Sequence, residues 1–121
     1  FVPWTFNQEI DIIRMLTGWD FGGTEALQVG ERVATMGRAF NMREGLTAAN
    51  DTLPKRFFSG TPRGALKDSP LDPDELRQAV NTFYQMSGWE SETGLPTPEK
   101  LAELGLSWVD EQIRSLRGAA A

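Results

Sequence analysis

The chain has 121 residues, a formal charge of −5, no cysteine and no histidine, so it is long enough for one core but short for a cofactor enzyme. Lacking thiols and imidazoles, it cannot by itself ligate an iron–sulfur cluster or structural zinc, form a disulfide framework, or run histidine acid–base or histidine-activated nucleophilic chemistry. The acidic balance argues against nucleic acid or an anionic membrane as the main partner, while a small basic partner stays open.

The opening Phe1, Val2, Pro3, Trp4, Thr5 and Phe6 is apolar and aromatic. It reads as a cut inside a longer polypeptide or a processed end, and its first four residues, Phe1 to Trp4, are the segment most expected to be buried against missing protein. No basic stretch leads into an apolar one, so nothing reads as a signal peptide. Nor is there an apolar run of about eighteen residues to span a membrane. Absent cysteines fit a reducing compartment, and the expectation is cytoplasmic.

Thr5 and Gln8 make a capping box, each side chain satisfying a backbone donor of the other. Phe6, Ile10, Ile13 and Leu16 recur at helical spacing until Gly18 stops the helix, with Trp19 placed to fold back on its last turn. After a turn at Gly22 and Gly23, Thr24 is the expected N-cap of the longest helix, running to about Glu44. Ala26, Val29, Val33, Met36 and Phe40 draw one apolar seam along it. Gly30 and Gly37 lie beside that seam. A mid-helix glycine costs about 1 kcal/mol relative to alanine, so the pair predicts close approach of another backbone.

Beyond Gly45, Asp51 is expected to cap a short turn that contains Pro54 and ends on a buried Phe57 and Phe58. Residues 59–71 read as a surface loop. Asp72, Pro73, Asp74 and Glu75 form a strong helix start, with Leu76, Val80, Phe83 and Tyr84 as the buried face. Gly88 and Trp89 repeat the Gly18 and Trp19 stop. Thr97, Pro98 and Glu99 begin a short helix ended at Gly105, with Leu106 as its apolar contact. Ser107 caps a last helix whose Val109, Ile113 and Leu116 face inward, and the closing 118–121 reads as a natural frayed end or as added residues. No sustained alternation appears, so no sheet is expected. The prediction is all-α: one domain over residues 1–121, an irregular bundle of five or six helices with one long central helix and long loops.

The basic pair Lys55 and Arg56, with Arg43 and Arg63 near in sequence, could hold a phosphate such as that of a pterin. The plainer reading pairs these arginines with Glu44, Asp51 or exposed helix ends, because a glycine-rich nest is lacking. Asp68, Asp72, Asp74 and Glu75 lack the ordered calcium loop, and capping explains them better. Asp11 with Arg14, and Glu31 with Arg32, read as solvated faces. Glu90 and Glu92 show no shared pocket. Trp4, Trp19, Trp89 and Trp108 either build a core or line contact with a neighbouring domain.

From Asn41 to Phe58 the chain reads Asn-Met-Arg-Glu-Gly-Leu-Thr-Ala-Ala-Asn-Asp-Thr-Leu-Pro-Lys-Arg-Phe-Phe. Gly30, Glu31 and Arg32 lie upstream; Gly88 and Trp89, Pro96 and Thr97, and residues 101–106 lie downstream. In this order they resemble the C-terminal part of tungsten-containing aldehyde:ferredoxin oxidoreductases, over nearly the whole chain to about Leu106. The resemblance implies a parent enzyme with tungsten (or molybdenum) held by two pterin dithiolenes beside one 4Fe–4S cluster, oxidising aldehyde to carboxylic acid and passing electrons to ferredoxin. The family's aspartate–x–x–glycine–leucine–cysteine motifs and cysteine cluster do not occur here, and its catalytic histidine and glutamate have no match. By the family's order this portion begins directly after the final cluster cysteine. The resemblance therefore implies no catalytic residue and no metal ligand in this chain. Asn41, Arg43, Glu44, Gly45, Asp51, Leu53, Pro54, Lys55 and Arg56 match the helical scaffold and take a structural role. Cofactor contacts reduce to the weak candidates Arg43, Lys55 and Arg56. The expected partners are the remaining domains of the same polypeptide, with ferredoxin for the parent, whose electron-exit surface this part would help form. The alternative is a stand-alone helical module that docks a redox partner. A parent acting on a different carbonyl or aromatic acid also stays open.

Overall fold

In a computed structural model the described residues are 4–60, 63–64, 67 and 69–118. The expectations for Phe1, Val2, Pro3, Asp68 and the alanines at 119–121 fall outside them, as do parts of the 59–71 loop. Five α-helices follow in order: α1 (Phe6–Thr17), α2 (Gly23–Arg43), α3 (Pro73–Met86), α4 (Pro98–Glu103) and α5 (Ser107–Gly118). Short 3-10 turns cover Ala48–Asn50 and Lys55–Phe58. The described residues contain no strand, only an isolated bridge between Trp89 and Pro96. None of their helices is long and apolar enough to cross a membrane.

The ends follow the expected chemistry with some shifts. In the Thr5 capping box the Thr5 N–H donates to Gln8 Oε1 at 2.8 Å and the Gln8 N–H to Thr5 Oγ1 at 3.4 Å. The α2 cap is Gly22 rather than Thr24, because the Glu25 carboxylate reaches back to the Gly22 N–H at 3.1 Å. Asp72 caps α3 by accepting from the Asp74 N–H at 2.7 Å. After α3, the Trp89 N–H bonds Tyr84 O at 2.8 Å and the Gly88 N–H bonds Gln85 O at 3.2 Å, a paired closure that recurs after α2 and α4. The α1 stop is simpler, a single bond from Gly18 N–H to Arg14 O at 2.9 Å. Its Trp19 remains exposed instead of folding back.

The core lies where α4 and α5 meet the C-terminal half of α2. Ala39 and Met42 of α2, Leu95, Leu101, Leu104, Leu106, and Val109 and Ile113 of α5 form one buried cluster, with Leu116 packed against it. Ion pairing ties α4 to α2. Glu31 pairs with Lys100, and the Arg32 Nε–H donates to Leu104 O at 2.8 Å. Glu31 and Arg32 thus staple α2 to α4, although the Glu31 side chain remains 41 % exposed to solvent. Hydrogen bonding to Glu31, opposed by partial burial and aided by Glu103, raises the Lys100 ammonium above 10.5.

Several expected burials fail. Leu16 is 82 % exposed although Ile10 is buried. Phe83 and Phe57 are exposed beside a buried Tyr84 and a half-buried Phe58. Most of the apolar α2 seam faces outward: Val33 is 61 % and Phe40 55 % exposed, with Val29 and Met36 also open. A Cβ at Gly30 or Gly37 would meet nothing within 4 Å, so no backbone of this chain approaches them. The reason is on the other face of α2. Thr35, Ala39 and Met42 take the core, and the charged Glu31, Arg32 and Arg38 are turned inward by partners on the later elements.

Candidate functional site

Arg38 is the centre of the most connected side-chain cluster. It sits mid-α2, its side chain 11 % exposed, and its guanidinium makes a two-pronged contact with Asp51. Nη1 donates to Oδ1 at 3.0 Å and Nη2 approaches Oδ2 at 2.6 Å, the fork geometry that suits a carboxylate. Its Nε–H donates to Gly94 O at 3.0 Å and Nη2 donates to the Tyr84 hydroxyl at 3.1 Å. The Tyr84 hydroxyl in turn donates to Asp51 Oδ2. The guanidinium also lies over the Tyr84 and Trp89 rings, 5.3 and 5.5 Å from their centroids. Trp89 and Phe83 meet edge to face, and the Trp89 indole N–H is buried with no acceptor among the described residues.

Four parts of the chain are pinned together by this cluster: α2 through Arg38, the motif loop through Asp51, α3 through Tyr84, and the turn before α4 through Gly94. Asp51 is therefore not the cap expected from the sequence. The Thr47 N–H bonds the Asn50 side chain at 2.8 Å to form the first short turn, and Pro54 opens the second. That leaves the Asp51 carboxylate free to cross to α2. Gly94 is constrained twice, by a backbone φ of +69° and because a Cβ there would lie 2.3 Å from Arg38 Nη2 and 2.7 Å from Tyr84 Cζ.

Electrostatics follow the geometry. Burial alone would raise the Asp51 carboxyl, but hydrogen bonds from Arg38 and Tyr84 and the Arg38 charge outweigh it and hold it below 3.8. Burial and the hydrogen bond to Asp51 push the Tyr84 phenol above 10.0, with Arg38 opposing. An anionic Asp51 saturated by donors and a phenol held protonated leave neither a base nor an acid poised near neutral pH. The cluster braces.

A cleft of about 570 Å³ opens beside it, lined by Gly37, Asn41, Asp51, Phe83 and Trp89 among others. A more apolar groove of about 450 Å³ runs between α2 and α5, with Val33, Met36, Phe40 and Trp108 on its walls. Asn41 and Arg43 border this groove.

The remaining motif residues disperse. Arg43 pairs with the neighbouring Glu44, Nη2 to Oε1 at 2.9 Å, and lies 5.1 Å from the Phe40 ring centroid. Arg56 lies over Phe57 at 5.2 Å. Lys55 is exposed in the second short turn, and neither it nor Arg56 lines the cleft beside Arg38 or the α2–α5 groove. Gly45 closes α2, while Leu53 and Pro54 are exposed. Glu90 belongs to a second cluster, accepting from Arg117 Nε at 3.1 Å and from the Thr93 hydroxyl at 2.7 Å, with Asp110 on the same arginine. The described residues hold no group of three or more His, Cys, Asp or Glu side chains placed for a metal ion.

Sequence reasoning missed Arg38, Gly94 and the hydroxyl role of Tyr84. One signal was present. Glu31, Thr35, Arg38 and Met42 step by four, three and four along the helix, a largely polar stripe at helical spacing opposite the apolar seam.

A family model described as aldehyde ferredoxin oxidoreductase, domains 2 & 3, matches residues 2–106. The chain is 36 % identical over 99 residues to the tungsten-containing aldehyde ferredoxin oxidoreductase of Pyrococcus furiosus, an overlap of 80 % of this chain and 16 % of that protein. The protein of the same description from Thermococcus kodakarensis is 35 % identical over 99 residues, with the same two shares, 80 % and 16 %. The aliphatic sulfonate oxidoreductase, WOR-like subunit, of Pyrococcus furiosus is 23 % identical over 118 residues, 93 % of this chain and 19 % of that protein. The chain thus spans about 16 % of the length of the first of these relatives. Helix α5 begins at Ser107, one residue past the family match.

Proposed function

This chain belongs to the aldehyde ferredoxin oxidoreductase family, and we propose that it is a C-terminal structural part of a larger oxidoreductase that converts an aldehyde to a carboxylic acid and passes the electrons to ferredoxin. The parent's tungsten (or molybdenum), its pterins and its 4Fe–4S cluster are held by other domains of the same polypeptide, which works in the cytoplasm. Residues 1–121 act as one helical unit in this reading. Asn41, Arg43, Glu44, Gly45, Asp51, Leu53, Pro54, Lys55 and Arg56 shape and brace it.

The observation that carries this reading is the fate of Asp51. It is the one carboxylate of the motif that reaches into the interior, and Arg38 and Tyr84 saturate it. The donor chemistry agrees. Soft thiolate and imidazole ligands are absent from the sequence, so the residues present do not suit an iron–sulfur cluster. The basic candidates do not converge either, since Arg43 is turned onto Glu44 and Phe40.

Purified alone, the chain is expected to hold no stoichiometric tungsten, iron or pterin and to oxidise no aldehyde. Stoichiometric cofactor with turnover would refute the proposal.

A further inference from the structure

Polarity on α2 is inverted for a domain that ends at its own surface. Thr35, Arg38 and Met42 point into the chain, with Glu31 half-exposed beside them but drawn onto Lys100, and all but Met42 are polar. Val29, Val33, Met36 and Phe40 lie roughly 180° away at about 100° per residue, and all four are exposed. Trp108, 60 % exposed on α5, extends this apolar surface across the groove. Contiguous exposed apolar surface of this kind marks an interaction site. Gly30 and Gly37 edge the same face with open space above them.

We infer that the α2–α5 groove is the seat of an apolar segment from the part of the polypeptide outside these residues, whose main chain passes over Gly37. This rests on the reading of the chain as part of a larger oxidoreductase. The occupant follows from length: the chain spans 16 % of the Pyrococcus furiosus relative, so most of such a molecule is tethered beside this face. A tethered surface acts at an effective concentration of about millimolar, which a second copy at cellular concentration does not match. The two open glycines then have a use, since absent side chains let a second backbone come close.

The test uses the full-length protein that contains these residues, carrying Val33→Cys or Met36→Cys. Maleimide labelling is followed natively and in urea, with peptide mass spectrometry separating the new thiol from others. At both positions the native rate is expected to be at least about 100-fold below the rate in urea, the signature of a site reached only by rare opening. Dilution should leave it unchanged. Native labelling within a few-fold of the urea rate overturns the inference. Protection that vanishes on dilution also overturns it and gives the face to a second copy. If Val33→Cys fails to fold, Met36→Cys decides alone. Tungsten content and aldehyde turnover of the unmodified full-length protein test the parent's identity separately, so failure there leaves the labelling result readable.

Discussion

Replacing Gly94 by alanine tests the Arg38 cluster through space it leaves no room for. Two terms act at this position. The first is conformational: φ is +69°, and an L-residue held there costs about 1–2 kcal/mol. The second is steric, because the added Cβ would lie 2.3 Å from Arg38 Nη2, 2.7 Å from Tyr84 Cζ and 3.0 Å from Tyr84 Cε2. Arg38 cannot swing aside without releasing Asp51 and Gly94 O, so the overpacking term is about 1–3 kcal/mol. Gly105→Ala is the matched control, with φ of +68° and nothing within 4 Å of the new Cβ. It should show the first term alone. Urea unfolding of the chain, followed by far-ultraviolet circular dichroism, should place Gly94→Ala about 3 kcal/mol below the parent and Gly105→Ala about 1–2 kcal/mol below it. Equal losses would mean that Arg38 and Tyr84 do not fill that space and that the cluster does not brace the chain.

Stability should also depend on pH at both extremes. The folded Asp51 carboxyl lies below its ordinary 3.8, so its contribution is present above about pH 4 and is lost as pH falls through the folded value. Asp51→Asn should flatten that acid limb of a pH–stability curve. Tyr84 and Lys100 are raised above 10.0 and 10.5, so their contributions are whole below those values and are lost as pH rises through the folded ones; Tyr84→Phe should remove part of the alkaline limb. Ile113→Ala, at a position 1 % exposed in the core, should lower stability by about 2–5 kcal/mol in a denaturant titration. Loss of under about 0.5 kcal/mol would show that α5, beyond the family match, is not part of the core.

Helix ends were legible because capping is local chemistry: Thr5 with Gln8, Asp72 with Pro73, and Gly88, Gly45 and Gly105 each sit where their own neighbours place them. The all-α class followed from the same punctuation. Which face of α2 is inside did not follow, and the cause is physical. Periodicity locates an apolar stripe but not what covers it. In α2 the stripe faces out because Lys100, the Leu104 carbonyl and Asp51 offer its charged residues partners that lie 69, 72 and 13 positions away in the chain. Asp51 failed as an expected cap for the same reason: Asn50 satisfies the local turn, and the distant Arg38 claims the carboxylate. The weak phosphate candidates dispersed because Arg43 found Glu44 next to it.

Turnover per bound tungsten in the full-length protein carrying Asp51→Asn measures most directly whether the motif braces or reacts. A bracing carboxylate predicts a lower unfolding midpoint with aldehyde turnover per tungsten within about twofold of the parent, since a factor of two is only about 0.4 kcal/mol in the barrier. An unchanged midpoint with turnover per tungsten down by more than about 100-fold, roughly 2.7 kcal/mol, would contradict the account and put Asp51 in the chemistry.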